Sequence, residues 1–302
     1  MSGNSNLHAA KRAKDDEFYT SLSDVEKEMY YYRDQFKGKS VFCNCDDPAW
    51  SAFWIYFSRN FRHHGLKRLI STHYEPEGQS YRLDITKYGQ QTMPIPLDGN
   101  GDFRSEECLR ILDECDIVCT NPPFSLFREY ISTLVEHGKQ FIVLGALNAV
   151  AYKEIFPLIR EGKVWLGPSQ CNGGKVYRTP SGTEKKLGNT LWFTNMDHAQ
   201  RHEPVVLYKR LFDGEYPIYD NYNAINVDKA TEIPEDYDGV MGVPISFLDK
   251  LCPEQFEIVG VTASWDETPE MQAIKTSAEH RHGPFINGEE KYKRLLIRRV
   301  SE

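Results

Sequence analysis

To about residue 200, two apolar patterns alternate along the chain. Short continuous apolar runs predict buried strands, and stretches with apolar residues at helical spacing predict helices between them. The strand-like runs are "KSVFCN" (39–44), "LKRLISTHY" (66–74), "CDIVCTN" (115–121), "QFIVLGAL" (140–147), "KVWLG" (163–167) and "GNTLWFTNM" (188–196). The helix-like stretches are 21–36, 48–65, 105–114, 125–138 and 151–162. In the first, Ser23 and Glu26 form a capping-box pair. Gly65 and Gly138 close later helices. Strands alternating with helices predict an α/β fold, a parallel sheet with helices on both faces. In such sheets ligands bind beyond the carboxyl ends of the strands. The polar and turn-forming residues collect there, after "SVFCN", "ISTHY" and "IVCT", although strand ends attract turn residues in any case.

Beyond about residue 200 the texture changes. The stretch 216–239 is aromatic, acidic and turn-rich, and only "FEIVGVTA" (256–263) and "YKRLLIRRV" (292–300) read as strands. A boundary is expected near His198 to Glu203. It divides a domain over 1–200, opening with a polar arm at 1–14, from a smaller region over 201–302.

Composition narrows the class. The chain has 302 residues, 40 % hydrophobic and 26 % charged, the balance of a soluble globular protein. Seven cysteines without a disulfide-like framework point to a reducing, cytoplasmic setting. The polar start is no signal segment, and no run is long enough for a membrane span. A net charge of −8 counts against a non-specific nucleic-acid coat, while leaving room for a local basic face. Cys43 and Cys45, with His63 and His64 beyond, lack a second pair at finger-like spacing, so small buried thiols are expected rather than a metal site.

The candidate chemistry lies in "NPPF", Asn121 to Phe124. Prolines carry no N–H and end the strand before them. An asparagine carbonyl beside the Pro122 carbonyl makes two acceptors suited to an exocyclic amine with two hydrogens. Accepting both drives the planar nitrogen toward a tetrahedral one with a free lone pair. Pro123 shapes the turn, and Phe124 offers a face on which a heterocycle stacks.

The turn and its surroundings resemble the EcoRI-type branch of adenine-specific (N6) DNA methyltransferases. "KDDEFYT" (14–20) resembles the segment before the family's first strand. "VFCNCDDPAWSAF" (41–53) resembles its first-strand motif, where the usual glycine-rich loop is replaced. "GDF" (101–103) keeps the family's spacing to "NPPF". "YKEIFPLIREGKVWLG", "NTLWFTNMD", "GVPISFLDK", "PEQFEIVG" and "INGEEKYKRLLIRR" resemble later family segments. The likeness runs from about residue 6 to about residue 299.

The resemblance implies a class I methyltransferase, with a Rossmann-like, mostly parallel, seven-stranded sheet and a C-terminal recognition region. It implies S-adenosylmethionine as cofactor, S-adenosylhomocysteine as product and double-stranded DNA as substrate, with the target adenine flipped from the helix. The motif order is gamma-like. Asn121, Pro122, Pro123 and Phe124 form the implied catalytic turn. Phe18, Tyr19, Thr20, Cys43, Asn44, Asp46, Asp47, Glu75, Asp102, Phe103 and Asn121 line the implied cofactor site.

Some assignments stay open. Asp46 and Asp47 face the cofactor's ammonium group or cap the next helix. Glu75 grips ribose hydroxyls, with Tyr74 and Glu77 as rivals. The strip Lys291, Lys293, Arg294, Arg298 and Arg299 contacts phosphate or protects a sheet edge. The stretch 167–189, with Lys175, Arg178, Lys185 and Lys186, lies over DNA or forms a hairpin of its own. A bacterial or phage-encoded enzyme is implied, with or without a cognate restriction endonuclease. Methylation of RNA adenine or protein glutamine, and a non-catalytic DNA-binding relative, are the alternatives.

Overall fold

The computed structural model describes residues 20–45, 47–86, 88–169, 175–178, 184–187, 190–212, 216–276 and 283–300, with the backbone alone for 175–178 and 184–187. Two compact units emerge. The first contains residues up to 149 together with 165–198, and the second contains 150–164 and 199 onward.

In the first unit, helix α1 spans Leu22–Met29 and tightens into a 3-10 turn over Tyr30–Gln35. Its cap is Ser21 rather than Ser23: Ser21 has the extended backbone a cap needs, and its hydroxyl accepts from the Asp24 N–H at 3.2 Å. There follow β1 (Ser40–Cys43), α2 (Ala52–Arg59), β2 (Arg68–His73), β3 (Tyr81–Thr86), β4 (Ile95–Pro96), α3 (Glu106–Asp113), β5 (Ile117–Thr120), α4 (Phe127–Glu136) and β6 (Gln140–Ala146). In the second unit lies α5 (Phe156–Arg160); the first resumes with β7 (Trp165–Leu166), β8 (Lys175–Arg178), β9 (Glu184–Leu187) and β10 (Thr190–Thr194).

The main sheet has eight strands in the order β4-β3-β2-β1-β5-β6-β10-β7. The expected α/β class holds, with a finer correction to the sheet. Only β2-β1-β5-β6 pair in parallel, and both flanks are antiparallel. The extra strands come from the hairpin β3–β4, which the apolar-run reading passes over. Its strand alternates, with Leu83 and Ile85 in the core, but Arg82 and Asp84 interrupt the run. Asp84 is buried beside the Arg68 guanidinium and 3.8 Å from Arg82 Nε.

All four residues of β1 and of β5 are buried, as expected for strands covered on both faces. Val41, Cys43, Ile117, Cys119 and Trp192 pack with Val25, Met29, Phe53 and Phe57 of α1 and α2. From the next position in β10, Phe193 meets Phe127 of α4, with ring centroids 4.9 Å apart. Alternate strand positions thus feed two cores.

The second unit is built on a four-stranded sheet from β11 (Ile225–Asn226), β12 (Met241–Pro244), β13 (Phe256–Val261) and β16 (Arg294–Arg299), with α6 (Pro269–Ile274) and the hairpin β14 (Phe285–Ile286) and β15 (Glu289–Glu290) beside it. The order is β11-β12-β16-β13, so β16 is an interior strand and the sheet-edge alternative for the basic strip falls. The expected division at residue 200 also changes, because 150–164 packs with this unit. Phe156 lies edge-on to Trp265 at 6.0 Å, and Arg160 reaches Asp266 at 3.5 Å and Thr268 at 3.2 Å.

Asp249 is an oddity of this unit. Burial pushes its carboxyl up to about 6, opposed by Lys250, and its Oδ1 is buried without a hydrogen-bond partner among the described residues. A raised carboxyl pKa favours the folded state at low pH, and that contribution is lost as pH rises from about 4 through about 6. Asp249→Asn is therefore expected to raise the melting temperature by a few degrees at pH 8, or about 1 kcal/mol, with the gain vanishing toward pH 4. A pH-independent difference in thermal melts between the two proteins would refute this.

Candidate active site

The order in which the chain adds strands to the sheet reverses between β1 and β5, which are themselves parallel. From β1 the chain passes through α2 to β2 on one side, while β5 pairs with β1 on the other. This is the switch point at which parallel sheets open a cleft. The two strand ends are tied together, for the Cys45 N–H donates to Thr120 Oγ1 at 3.2 Å. Just beyond β1, buried Asn44 accepts a short hydrogen bond from the Tyr130 hydroxyl of α4. Tyr130 in turn packs edge-on against Phe103, centroids 5.0 Å apart. One chain of contacts therefore joins the first-strand motif, the "GDF" loop and the helix after "NPPF".

The ladder between β5 and β6 ends at Thr120 opposite Val143, and the prolines explain why. Asn121 is half-buried with its Oδ1 buried, and Pro122 is buried. The Pro123 carbonyl accepts from the Leu126 N–H at 3.0 Å, starting a 3-10 turn over Phe124–Leu126 that leads into α4. Phe124 remains half-buried, so part of its ring is open. The turn is thus held by a strand before it and a helix after it.

Gly101 presses on the end of β2. Its φ is +78°, and a Cβ there would lie 2.3 Å from the His73 carbonyl oxygen. The Glu75 N–H donates to the Asn100 carbonyl at 3.0 Å. The loop carrying Asp102 and Phe103 is thereby stitched to the loop carrying Glu75.

Asp102 is engaged by Arg104, with Nη2 2.6 Å from Oδ2 and Nε 2.9 Å from Oδ1. Burial alone would raise its pKa, but the hydrogen bonds and charge of Arg104 outweigh this and lower it. Phe103 is buried, with the Arg104 guanidinium 5.5 Å from its ring centre. Glu75 is half-buried, whereas its rivals Tyr74 and Glu77 are exposed. Asp47 does not cap α2. That role falls to Ser51, whose hydroxyl accepts from the Trp54 N–H at 3.2 Å. Asp47 instead accepts from the Ala49 N–H at 2.8 Å and faces Tyr81 and His73. Thr20 is buried, and its Oγ1 lacks a hydrogen-bond partner among the described residues. Cys43 is in the core, with its carbonyl accepting from Ser71 Oγ at 3.0 Å.

Phe18, Tyr19 and Asp46 lie outside the described residues, as do the side chains of Lys175, Arg178, Lys185 and Lys186 on the β8–β9 hairpin. The C-terminal strip is matched by acids from elsewhere in its unit. Arg294 lies 2.6 Å from Asp228, Arg298 2.7 Å from Glu257, Lys291 2.9 Å from Glu289 and Arg299 4.0 Å from Asp238. A phosphate would have to compete with a carboxylate at each of these, and only exposed Lys293 stands outside the described ion pairs.

The sequence reading misses His73, Tyr81, Arg104 and Tyr130. The period-2 pattern of β3 and the buried face of α4 (Phe127, Tyr130, Ile131, Leu134) carry the signal for Tyr81 and Tyr130. No sequence signal marks the other two.

The family model for "Adenine-specific methyltransferase EcoRI" matches residues 6–300. The chain belongs to the EcoRI-type adenine-specific DNA methyltransferase family. It is 42 % identical to the type II methyltransferase M.EcoRI of Escherichia coli, over 86 % of this chain and 90 % of that protein. It is 38 % identical to M.MpnI of Mycoplasma pneumoniae over 97 % of each, and 35 % identical to M.MgeORF184P of Mycoplasma genitalium over 97 % of this chain and 98 % of the relative. No solved structure matches. The methyltransferase thus has "NPPF" at the end of β5, beside the point where its strand order reverses. No helix among its described residues is long and apolar enough to cross a membrane.

Proposed function

We propose that this methyltransferase transfers a methyl group from S-adenosylmethionine to the exocyclic N6 amine of a flipped adenine in double-stranded DNA, at a specific sequence. The observation that carries the reading is the Asn121–Phe124 turn at the end of β5, tied through Thr120 to the turn after β1. Asn121 Oδ1 and the Pro122 carbonyl accept the two amine hydrogens and orient the nitrogen lone pair. Phe124 stacks on the base, and the base reaches the cleft only outside the helix. Positioning of the amine, rather than proton removal by a charged base, carries the rate.

The residues around β1, β2 and the "GDF" loop suit the cofactor. Half-buried carboxylates at Asp47 and Glu75 match an ammonium and ribose hydroxyls, the Phe103 ring suits a purine, and the buried Thr20 Oγ1 has room for one further hydrogen bond. Bound S-adenosylmethionine supplies an electrophilic methyl on a positively charged sulfur. Asp102 serves as an acceptor only on lone pairs that Arg104 leaves open.

Sequence choice is assigned to the region after about residue 200, and the β8–β9 hairpin with Lys175, Arg178, Lys185 and Lys186 to phosphate contact. A cytoplasmic role in a bacterial cell, alone or beside a restriction endonuclease, completes the reading. The test is transfer of labelled methyl to unmethylated duplex DNA, with digestion to nucleosides. Label is expected in N6-methyladenine at one sequence. Label confined to RNA or protein, from a folded and cofactor-binding enzyme, would overturn it.

A further inference from the structure

Asp47 is held by groups that a turn does not require. Its Oδ1 accepts from the Ala49 N–H at 2.8 Å, which closes the local turn. Ser51 caps α2, so the helix makes no demand on Asp47. Two further side chains nevertheless converge on it from distant points of the sequence. The Tyr81 hydroxyl lies 3.3 Å from Oδ1, and His73 Nδ1 lies 3.2 Å from Oδ2. His73 ends β2, Tyr81 begins β3, and the two are register partners across the antiparallel pair. Their rings lie 5.0 Å apart at 37°. Together they form one wall behind the carboxylate. Burial, then the Asp47 charge and hydrogen bond, raise the Tyr81 pKa, so its phenol remains a donor at neutral pH. A carboxylate has about four acceptor sites; Ala49 and Tyr81 take two of them on Oδ1, while His73 Nδ1 lies within ion-pair distance of Oδ2 without a hydrogen bond, so Oδ2 keeps its acceptor sites. The Asp47 side chain is 16 % exposed, so the remaining sites are partly open.

We propose that His73 and Tyr81 are positioning residues that fix the Asp47 carboxylate to receive the ammonium group at the methionine end of the cofactor. The proposal rests on the reading that Asp47 faces that end. A carboxylate hydrogen-bonded by Ala49 and Tyr81 and backed by the His73 ring does not reorient when a cation arrives, and affinity gained this way is preorganisation. Neither residue touches the reacting atoms, so the effect belongs in cofactor affinity and not in the methyl-transfer step.

The test is calorimetric titration of the full chain with two ligands. S-adenosylhomocysteine carries the amino-acid end, and methylthioadenosine lacks it. Asp47→Asn should weaken S-adenosylhomocysteine about tenfold or more and leave methylthioadenosine unchanged. Tyr81→Phe keeps the ring against His73 and removes only the hydroxyl. It should weaken S-adenosylhomocysteine about three- to tenfold, with no change for methylthioadenosine. In the Asp47→Asn background the same change should add nothing. His73→Ala, which removes the ring that backs Tyr81 and the carboxylate, should weaken S-adenosylhomocysteine and leave methylthioadenosine unchanged. If folded Asp47→Asn binds both ligands as the wild type does, the underlying Asp47 reading fails, and the proposal with it. If Asp47→Asn is selective but Tyr81→Phe and His73→Ala have no effect, Asp47 stands and the positioning role is overturned. Equal weakening of both ligands by Tyr81→Phe would show a structural role and overturn it as well.

Discussion

Asn121→Ala is expected to lower kcat for methyl transfer by about a thousandfold or more, close to 4 kcal/mol of barrier. The loss falls on kcat because the side-chain oxygen is assigned to the amine as its nitrogen changes shape. A contact that strengthens toward the transition state contributes to the rate rather than to ground-state binding. Folding should be little affected, since Asn121 lies past the last ladder pair of β5, and the prolines and the 3-10 turn shape the backbone that follows it. Single-turnover methylation of duplex DNA, with a thermal melt of the same sample, measures both. Activity retained within about tenfold of wild type would remove Asn121 from the catalytic role.

Gly101→Ala is expected to disturb stability and cofactor binding together. At φ +78° any side chain is strained, and the added Cβ would meet the His73 carbonyl oxygen at 2.3 Å, its carbon at 3.1 Å and Tyr74 Cα at 3.2 Å. All three are backbone atoms that cannot rotate away. The loop must shift, and with it the hydrogen bond from Glu75 to Asn100 and the positions of Asp102 and Phe103. A loss of about 3 kcal/mol is expected, roughly 6–12 °C in melting temperature, with weakened S-adenosylhomocysteine binding. Gly38→Ala is the control. Its φ is +74° but its Cβ would meet nothing within 4 Å, so only the backbone strain of about 1 kcal/mol applies. Gly101→Ala melting and binding like Gly38→Ala would show that the close approach is unimportant.

Much of the first unit is legible in the sequence. Each predicted strand and helix there has its counterpart, because buried parallel strands are nearly continuous apolar runs and their helices are amphipathic. "NPPF" marks a strand end because proline cannot continue a ladder, and the β5–β6 ladder stops at Thr120. Finer features were set by partners outside the local window. Ser21 rather than Ser23 caps α1, a choice between neighbours decided by backbone angles. Asp47 and Ser51 divide the roles in the turn after β1, because His73 and Tyr81 are available to one of them.

The chain's own order of residues determined the alternating elements, the strand end at Asn121 and the motifs that mark the family. Only the tertiary structure decided that 150–164 joins the second unit, that β16 is interior, and that its arginines meet Asp228, Glu257 and Asp238. It alone also brought Asn44, Tyr130 and Phe103 into one chain of contacts. Periodicity and proline act within a few residues and can be read locally, whereas ion pairs and ring contacts depend on which distant segments the packed sheet brings together.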